Sequence, residues 1–348
     1  MMLRADTLRL LDLARWAPSG DNQQPWRVRS RPDGLELFLR EDRGRDFLDV
    51  GGMASAMALG AFAETASLAA EHLGFGAQVL FDEGKAHLAW TPRSSARTPL
   101  AARITERASN RHLYDEGSFG DDDERSLLEQ AATTGNVRVS FLRSRDELAA
   151  VAEAAALADG VRFAHKTCHE QFYAKVCWSI AQSQALGTVF HPATFELGMI
   201  DRVGLRAMRP FWMMRTMDTL FRVRSLAEAH ARRQILASGA IGLLEVDETE
   251  KHAMEHAGIA LQRIWLAAAS LGLAMQVVAV PWLFVRRLAS AGTDLSPHEV
   301  GVIEEARGCL ASIPGAPKPE QVAVAFRIGR GPAPSARAPR LSAEALLV

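Results

Sequence analysis

Two segments of this chain predict the same helix-turn-strand outline, and each lacks a motif that the other keeps. The first segment, around Ala17, contains the turn Pro18-Ser19-x-x-Asn22-x-Gln24-Pro25-Trp26. The second opens at Leu128 without such a turn, but Arg107-Ala-Ser-Asn-Arg111 precedes it by about 20 residues, and the first segment has no counterpart of that motif. Each segment lacks the motif that the other retains, so the pattern favours one composite site built from both halves.

A second internal match lies further along the chain, and a repeat constrains the fold more than any local motif. Sliding residues 59–80 onto residues 257–278 gives eight identities in 22, among them Gly60 with Gly258 and Gln78-Val79 with Gln276-Val277. Both copies predict a long helix that ends near a glycine and is followed by a strand. Chance similarity between two helices rich in Ala and Leu is the alternative.

The Pro18–Trp26 turn, Arg107-x-Ser109-x-Arg111 and the Leu-Ala-Ala-x-x-Leu-Gly helix resemble the FMN-dependent nitroreductase superfamily, in its internally duplicated single-chain branch. The resemblance implies an α+β fold, with two half-domains that each have a sheet covered by helices, long central core helices, and a tandem pseudo-dimer. Predicted strands scattered between helices, with early hairpin connections, favour an α+β sheet covered by helices rather than a Rossmann sheet. We expect a first half at residues 1–95, and a second half at residues 96–348 that carries an insertion or lid at about 160–235.

Composition narrows the choice of partners and compartment. The net charge of −1 supplies no overall field that would attract nucleic acid, so we expect no nucleic-acid partner. Three cysteines without a Cys-x-x-Cys pair fit a reducing compartment better than a disulfide scaffold. No secretory signal is apparent at the amino terminus, and we expect a cytoplasmic protein.

One stretch, residues 264–285, is apolar and as long as a membrane span. Its repeat partner carries Glu71, His72, Asp82 and Glu83, and Gly272 and Pro281 divide the stretch itself. We therefore predict a buried helix, a strand and a turn, with no stable membrane insertion. Arg93–Pro99 is the predicted linker between the halves.

The candidate phosphate site is Arg107, Ser109 and Arg111. On an extended backbone these alternate residues face one side and offer two guanidinium groups and a hydroxyl to a phosphate. A solvated basic patch before a turn is the alternative. In the resembling family the closing basic segment returns to the FMN phosphate, which implies the same role for Arg337; Ser335 stands where the family often has a lysine. A frayed basic tail is the alternative for this segment.

The resemblance also implies that Pro18, Ser19, Gly20 and Asn22 contact the isoalloxazine ring. Pro, Ser, Gly and Asn each suit the backbone geometry of a helix-ending turn. Pro25 and Trp26 are expected to be framework residues. No Gly-x-Gly-x-x-Gly motif or phosphate-binding loop is present.

The insertion is where we expect substrate specificity, because long insertions over a rigid scaffold usually form lids or binding loops. Its predicted lid residues are Arg206, Arg209, Trp212, Met213 and Arg215. A membrane-surface helix and an ordinary packed helix are the alternatives. The pattern His165-Lys-Thr-Cys168-His169 matches no common zinc spacing, so no metal site is predicted; the two histidines, four residues apart, are candidates to face the substrate cavity.

These features together predict an FMN-dependent oxidoreductase of nitroreductase type. NAD(P)H would reduce the flavin, and the flavin would reduce a small organic acceptor of the nitroaromatic or quinone kind. One rival is a flavin-sequestering protein with an occluded site and little turnover, and the other is a flavin-free interaction scaffold. A pseudo-dimer within one chain leaves further oligomerisation open.

Overall fold

The computed structural model describes residues 4–40, 46–82, 84–92, 99–134, 137–290 and 294–348. In these residues the named strands form two four-stranded antiparallel sheets, and helices pack against both. The predicted α+β class with two sheet-containing halves is confirmed. The predicted linker at 93–99 lies outside the described residues except for its last residue.

The first half contains α1 (Arg4–Ala14), β1 (Trp26–Arg31), β2 (Gly34–Leu39), α2 (Met53–His72), β3 (Gly76–Asp82) and β4 (Lys85–Thr91). Its sheet has the order β1-β2-β4-β3. The two-residue turn Pro32-Asp33 joins β1 to β2, with Arg31 paired to Gly34; Pro, Asp and Gly between two short strands are typical of such a hairpin. Helix α2 connects β2 to β3 and so links one strand of the sheet to the far edge.

The second half is longer. Its elements are α3 (Asp121–Ala131), β5 (Val137–Leu142), α4 (Arg145–Ala164), α5 (Lys166–Ala174), α6 (Ile180–Leu186), α7 (Met199–Ala207), α8 (Phe211–Phe221), α9 (Arg224–Leu236), β6 (Ala240–Val246), α10 (Ala253–Ser270), β7 (Ala274–Val277), α11 (Val280–Ala289), α12 (Pro297–Ala311), β8 (Val322–Gly329) and α13 (Ala343–Leu346). The sheet order is β5-β6-β8-β7, which repeats the pattern of the first sheet. Helix α10 joins β6 to β7 just as α2 joins β2 to β3.

Two additions distinguish the second half from the first. Helices α4 to α9, called the insertion below, separate β5 from β6, and α11 and α12 separate β7 from β8. These helices supply a second apolar cluster behind the second sheet, where Trp282 of α11 packs with Val151 of α4 and Ile241 of β6. Strand β8 is consequently buried along its whole length, whereas β3 alternates between covered and exposed residues. The second sheet is thus covered on both faces and the first on one.

Helices α2 and α10 cross at two glycines that the internal repeat aligns with each other. A Cβ on Gly60 would lie 1.9 Å from the carbonyl oxygen of Glu255, and one on Gly258 would lie 1.9 Å from the carbonyl oxygen of Met57. Met57 and Glu255 are themselves repeat equivalents, 198 positions apart. The contact is therefore reciprocal, as in a two-fold interface, and only glycine allows the backbones to approach so closely.

The apolar stretch at residues 264–285 divides between α10, β7 and the start of α11. Pro281 lies in the first turn of α11, where a missing N–H costs nothing, and not in a turn as predicted. Among the described residues one helical segment, Val50–His72, passes a membrane-span test by length and composition, and 83% of its apolar window is buried inside the protein.

Candidate functional site

The segment after α1, residues 18–24, forms a tight turn and is called the turn below. Three of its non-glycine residues have left-handed backbone angles, with φ of 47° at Asp21, 57° at Asn22 and 49° at Gln24. Such angles are costly for residues with a side chain, so the surrounding contacts must hold them. One of these contacts is internal: the Gln24 N–H donates to Ser19 Oγ at 3.0 Å.

The turn aims two amide side chains into the protein. Asn22 and Gln24 are buried. Asn22 Nδ2 donates to the carbonyl oxygen of Pro339 at 2.9 Å, and Gln24 Nε2 donates to that of Gly187 at 2.7 Å. Pro18 and Ser19 are half-buried, and Gly20 is exposed. The turn therefore ties the carboxy-terminal tail, residues 330–348, and part of the insertion to the first half.

Three arginines meet beside the turn, and we call Arg107, Arg337 and Arg340 the arginine cluster. Arg107 Nη2 donates to the carbonyl oxygen of Trp16 at 2.7 Å, and Arg337 Nη2 donates to that of Arg107 at 2.5 Å. Arg340 Nη1 donates to Asn22 Oδ1 at 2.5 Å. The predicted ring-contact residue Asn22 and the predicted phosphate residues Arg107 and Arg337 are thus brought to one place.

The Trp16 indole lies at the centre of the arginine cluster. The guanidinium carbon of Arg337 lies 4.6 Å from the Trp16 ring centroid, and that of Arg340 lies 5.6 Å away. Arg107 instead stacks 4.4 Å from the centroid of Trp265, on the core helix α10. Aromatic faces stabilise cations, but they carry no compensating negative charge.

The arginine cluster has few acidic neighbours. None of its three side chains forms an ion pair with a described carboxylate. The charge of Glu106 acts on Arg337, where it opposes the lowering of the pKa by burial. Burial lowers the pKa of Arg107 well below its ordinary value, and the charges of Arg340 and Arg337 lower it further. Burial, followed by the charges of Arg337 and Arg15, lowers the pKa of Arg340 to about 10. Arginine side chains keep their charge at neutral pH in proteins.

Two donors of the arginine cluster are buried without a partner among the described residues, Arg107 Nε and Arg340 Nε. An unpaired buried donor on a charged group costs free energy, and so do like charges held together. An anion bound between the guanidinium groups would satisfy both needs. The cluster therefore has the donor set for a phosphate or a comparable oxyanion.

Arg111 has different neighbours from Arg107. Its Nη1 donates to the carbonyl oxygen of Thr194 at 2.9 Å, and its guanidinium lies about 5.5 Å from the rings of Phe190 and Phe195. Burial lowers the pKa of Arg111, and the charge of Asp21 in the turn opposes that change. Ser109 is bridged through its backbone to Met275 at the sheet edge. Of the predicted phosphate residues, Arg107 therefore contacts the tail, through Arg337, and Arg111 contacts the insertion, through Thr194.

Residues 175–196 of the insertion cover the turn, and we call this segment the plug. A parallel bridge between Val176 and Phe190 closes it into a compact loop. Its Lys175 Nζ lies 2.8 Å from Asp21 Oδ2 and also pairs with Asp46. At its other end, Glu196 accepts from the backbone N–H of Ser335 at 2.7 Å. The plug is thus fastened to the turn and the tail by ion pairs and hydrogen bonds.

The predicted lid residues lie elsewhere in the insertion. Trp212, Arg206, Arg209 and Arg215 are exposed on α7, α8 and the link between them, and Met213 is half-buried. Their contacts stay within the insertion: Arg206 stacks 5.7 Å from Trp178 of the plug, and the carbonyl oxygen of Arg209 lies 3.1 Å from His169 Nε2. The part of the insertion that reaches the site is the plug.

His165, which precedes α5, and His169, within α5, are both buried in side-chain packing. His165 packs on Phe47 at 4.5 Å, and His169 packs on Tyr173 at 4.5 Å. Burial raises the pKa of the Cys168 thiol to about 12, so it stays protonated. In the described parts of the chain no group of three or more His, Cys, Asp or Glu side chains could hold a metal ion.

Two residues were missed by sequence reasoning. Arg340 lies in the basic tail segment, where Arg337 was preferred. Arg327, on β8, is fully buried and donates to Gln276 Oε1 at 2.7 Å and to the carbonyl oxygen of His112 at 2.8 Å. A single arginine inside an otherwise apolar strand was the available signal. Arg327 supports the backbone just after Arg111.

No family model matches this chain. An uncharacterized protein of Mycobacterium tuberculosis is 25% identical over 331 residues, which are 92% of this chain and 45% of that protein. A "Putative NAD(P)H nitroreductase" of the same organism is 32% identical over 162 residues, which are 44% of this chain and 47% of that protein. The chain thus spans about half the length of the curated relatives it matches. The predicted resemblance to nitroreductases is confirmed by this match.

Solved structures give a weaker likeness. An FMN-dependent nitroreductase of Mycobacterium smegmatis in complex with NADPH has a TM-score of 0.37 and 16% identity, covering 71% of this chain and 96% of its own. A nitroreductase with bound FMN from Bacteroides fragilis has a TM-score of 0.35 and 12% identity, covering 70% of this chain and 94% of its own. Such scores record partial similarity only.

Proposed function

We propose that this protein is an FMN-dependent oxidoreductase of nitroreductase type, and that the arginine cluster holds the phosphate of FMN. The observation that carries the proposal is a set of three guanidinium groups, of which Arg107 is buried, Arg340 half-buried and Arg337 exposed. None is ion-paired with a carboxylate among the described residues, and two of their Nε donors are buried without a partner. A phosphate dianion supplies the missing charge and accepts several hydrogen bonds at once. Cationic clusters of this kind are costly to maintain without an anion.

The proposed site draws on both halves of the chain and on its tail. The turn and Trp16 come from the first half, Arg107 comes from the start of the second half, and Arg340 comes from the tail. The repeated sheet order and the reciprocal glycine crossing support a pseudo-dimer within one chain, in which the halves share this site. The boundary between the halves would then fall at about residue 95.

The protein's own contribution would be binding and orientation. Bound FMN would supply hydride chemistry, taking electrons from NAD(P)H and passing them to a small organic acceptor such as a nitroaromatic or a quinone. The turn, with Ser19 and Asn22 fixed by its strained backbone, would lie along the ring. The plug would exclude water from this place and control access to it. The three free cysteines support a reducing compartment, which we take to be the cytoplasm.

A second candidate function is supported by the plug. Gln24 is bonded to Gly187, Arg111 to Thr194, and Asp21 to Lys175, so the plug occupies the polar groups that surround the proposed ring site. A flavin held behind a closed plug would be stored rather than turned over. This alternative shares the phosphate site with the enzyme and differs only in access for the reductant and acceptor.

The test has two arms. First, purified protein is loaded with FMN, passed through a desalting column and examined by absorbance; retained flavin supports the phosphate site. Arg107→Ala with Arg340→Ala should lower FMN affinity by roughly 10²- to 10⁴-fold, because each hydrogen bond to a charged group contributes about 1.5–3 kcal/mol. A control pair, Arg125→Ala with Arg330→Ala, removes two exposed arginines that pair with Asp122 and Asp123 and should leave affinity unchanged.

Second, NADPH is added anaerobically to the loaded protein, followed by a nitroaromatic or a quinone. Bleaching of the flavin and its reoxidation by the acceptor support the enzyme. Retained flavin that NADPH does not bleach supports storage. Protein that keeps no flavin in the first arm contradicts both candidates and leaves the interaction scaffold.

A further inference from the structure

Most of the large hydrophobic side chains that are exposed in the described chain lie on α7, α8 and the start of α9, which follow the plug directly in sequence. Seven of the twelve large hydrophobic side chains that are exposed in the described residues fall between 199 and 226. Six of them are Met199, Ile200, Val203, Trp212, Leu220 and Phe221, and the seventh is Leu226. We call these seven residues the apolar face. Single exposed hydrophobic residues need no explanation, but a contiguous set marks a contact surface.

The apolar stripe of α7 points away from the protein. The exposed fractions of its residues are 84% for Met199, 87% for Ile200 and 70% for Val203. No residue of α7 is buried. An amphipathic helix of a globular protein normally turns this stripe towards the core. Helix α7 is instead held by polar contacts, since Tyr173 donates from its hydroxyl to the carbonyl oxygen of Leu205 at 2.7 Å. The outward stripe is therefore free to meet another phase or molecule.

Positive charge surrounds the apolar face. Between residues 199 and 226 the chain has six arginines and two aspartates, a net charge of +4 in a chain whose total is −1. Arg206, Arg209, Arg215 and Arg222 are exposed. Asp218 pairs with Arg224 at 3.5 Å and so does not neutralise them. An apolar face edged by arginines and carrying Trp and Phe is the composition of helices that lie in a membrane interface.

We propose that the apolar face and its arginines dock this protein on the surface of an anionic lipid bilayer. The helices lie in the headgroup region, with Ile200 and Val203 of the α7 stripe reaching the acyl boundary and the arginines contacting lipid phosphates; no segment crosses the membrane. The positive charge around the apolar face favours an anionic bilayer over a second copy of the chain. A symmetric dimer through this face would bring each arginine set against its own equivalent, and like charges in an interface are strongly unfavourable.

The experiment is vesicle flotation of the full chain at 0.1 M salt. Vesicles of 60% phosphatidylcholine and 40% phosphatidylglycerol are compared with vesicles of phosphatidylcholine alone. We expect flotation with the anionic vesicles, release at 0.5 M salt, and little flotation with the neutral ones. Arg215→Glu with Arg222→Glu should weaken partitioning by roughly 30-fold or more, since one basic residue near an anionic surface is worth about fivefold.

Matched variants separate the two parts of the proposal. Ile200→Ser with Val203→Ser removes the apolar anchors and should abolish flotation, whereas Leu80→Ser, an exposed leucine on the first sheet, should not. Arg9→Glu with Arg125→Glu makes the same charge change at two distant exposed arginines and should also have little effect.

Three results overturn the proposal. One is equal flotation with both vesicle types, and another is flotation with neither. The third is a concentration-dependent dimer in the absence of vesicles that Ile200→Ser with Val203→Ser converts to monomer, which assigns the face to a second copy. Circular dichroism and thermal unfolding confirm that each variant is folded.

Discussion

The crossing of α2 and α10 gives the sharpest stability prediction. In Gly258→Ala the new Cβ would lie 1.9 Å from the carbonyl oxygen of Met57 and 2.8 Å from the backbone nitrogen of Ala61. Carbon and oxygen normally approach to about 3.3 Å, so the two helices would have to separate by about 1.4 Å. The obstructing atoms belong to the backbone, and no side-chain rotation can relieve the contact.

The expected cost follows from this geometry. Overpacking a core costs about 1–3 kcal/mol and occasionally more, and a clash with backbone belongs at the upper end of that range. The higher helix propensity of alanine stabilises the folded state by up to about 1 kcal/mol and so offsets part of this cost. We therefore expect Gly258→Ala to lower the free energy of unfolding by about 2–3 kcal/mol, measured by equilibrium urea unfolding with tryptophan fluorescence.

Gly301→Ala is the control. Gly301 lies in α12, and a Cβ there would meet nothing within 4 Å. This variant should gain about 0.5–1 kcal/mol from helix propensity alone. Gly60→Ala should lose as much as Gly258→Ala, because the crossing is reciprocal, and the double variant should lose less than the sum because the first separation makes room for the second methyl group. A Gly258→Ala protein as stable as the parent would refute the close approach of the two helices.

Three further changes test other parts of the structure. Trp282→Ala should cost about 3–5 kcal/mol in urea unfolding, because Trp282 is 2% exposed and fills the cluster behind the second sheet; a loss below about 1 kcal/mol would place it outside that core. Ser144→Ala removes the amino-terminal cap of α4 and should cost about 1 kcal/mol, whereas an unchanged thermal midpoint would contradict the capping contact. Lys175→Met should cost about 1 kcal/mol near pH 7, since its partner Asp21 is half-exposed. The Lys175 effect should also depend on pH. Burial raises the pKa of Asp21, but Lys175 outweighs it and holds that pKa below 3.8, while Asp21 and Asp46 overcome the effect of burial and hold the pKa of Lys175 above 10.5. The difference between parent and variant should therefore shrink as the pH falls below about 4 or rises above about 10; a constant difference would argue against the ion pair.

Much of the fold could be predicted because its signals are local or repeated. The capping box from Ser144 to Glu147 marks the start of α4, and the Pro32-Asp33 turn marks the first hairpin. The aligned glycines of α2 and α10 indicated that two equivalent helices exist. Ser296 and Glu299 form an equally clear capping box, which marks the start of α12.

The candidate site was less predictable because its contacts are distant in sequence. Asn22 meets Arg340 across 318 positions and Gly187 across 165. No local sequence pattern indicates that the tail returns to the turn. None indicates that the plug, rather than the arginine-rich helices α7 and α8, contacts the site. A basic residue in a tail has the same sequence signature whether it is solvated or buried against Trp16. Only the tertiary structure distinguishes the two.

The most direct measurement of the central claim is the affinity of the protein for FMN compared with riboflavin, which lacks only the phosphate. If the arginine cluster holds the phosphate, the parent protein should bind FMN roughly 10²-fold or more tightly than riboflavin. In the variant with Arg107→Ala and Arg340→Ala the two ligands should bind alike, by isothermal titration at fixed salt. Equal affinity of the parent protein for FMN and riboflavin would contradict the account.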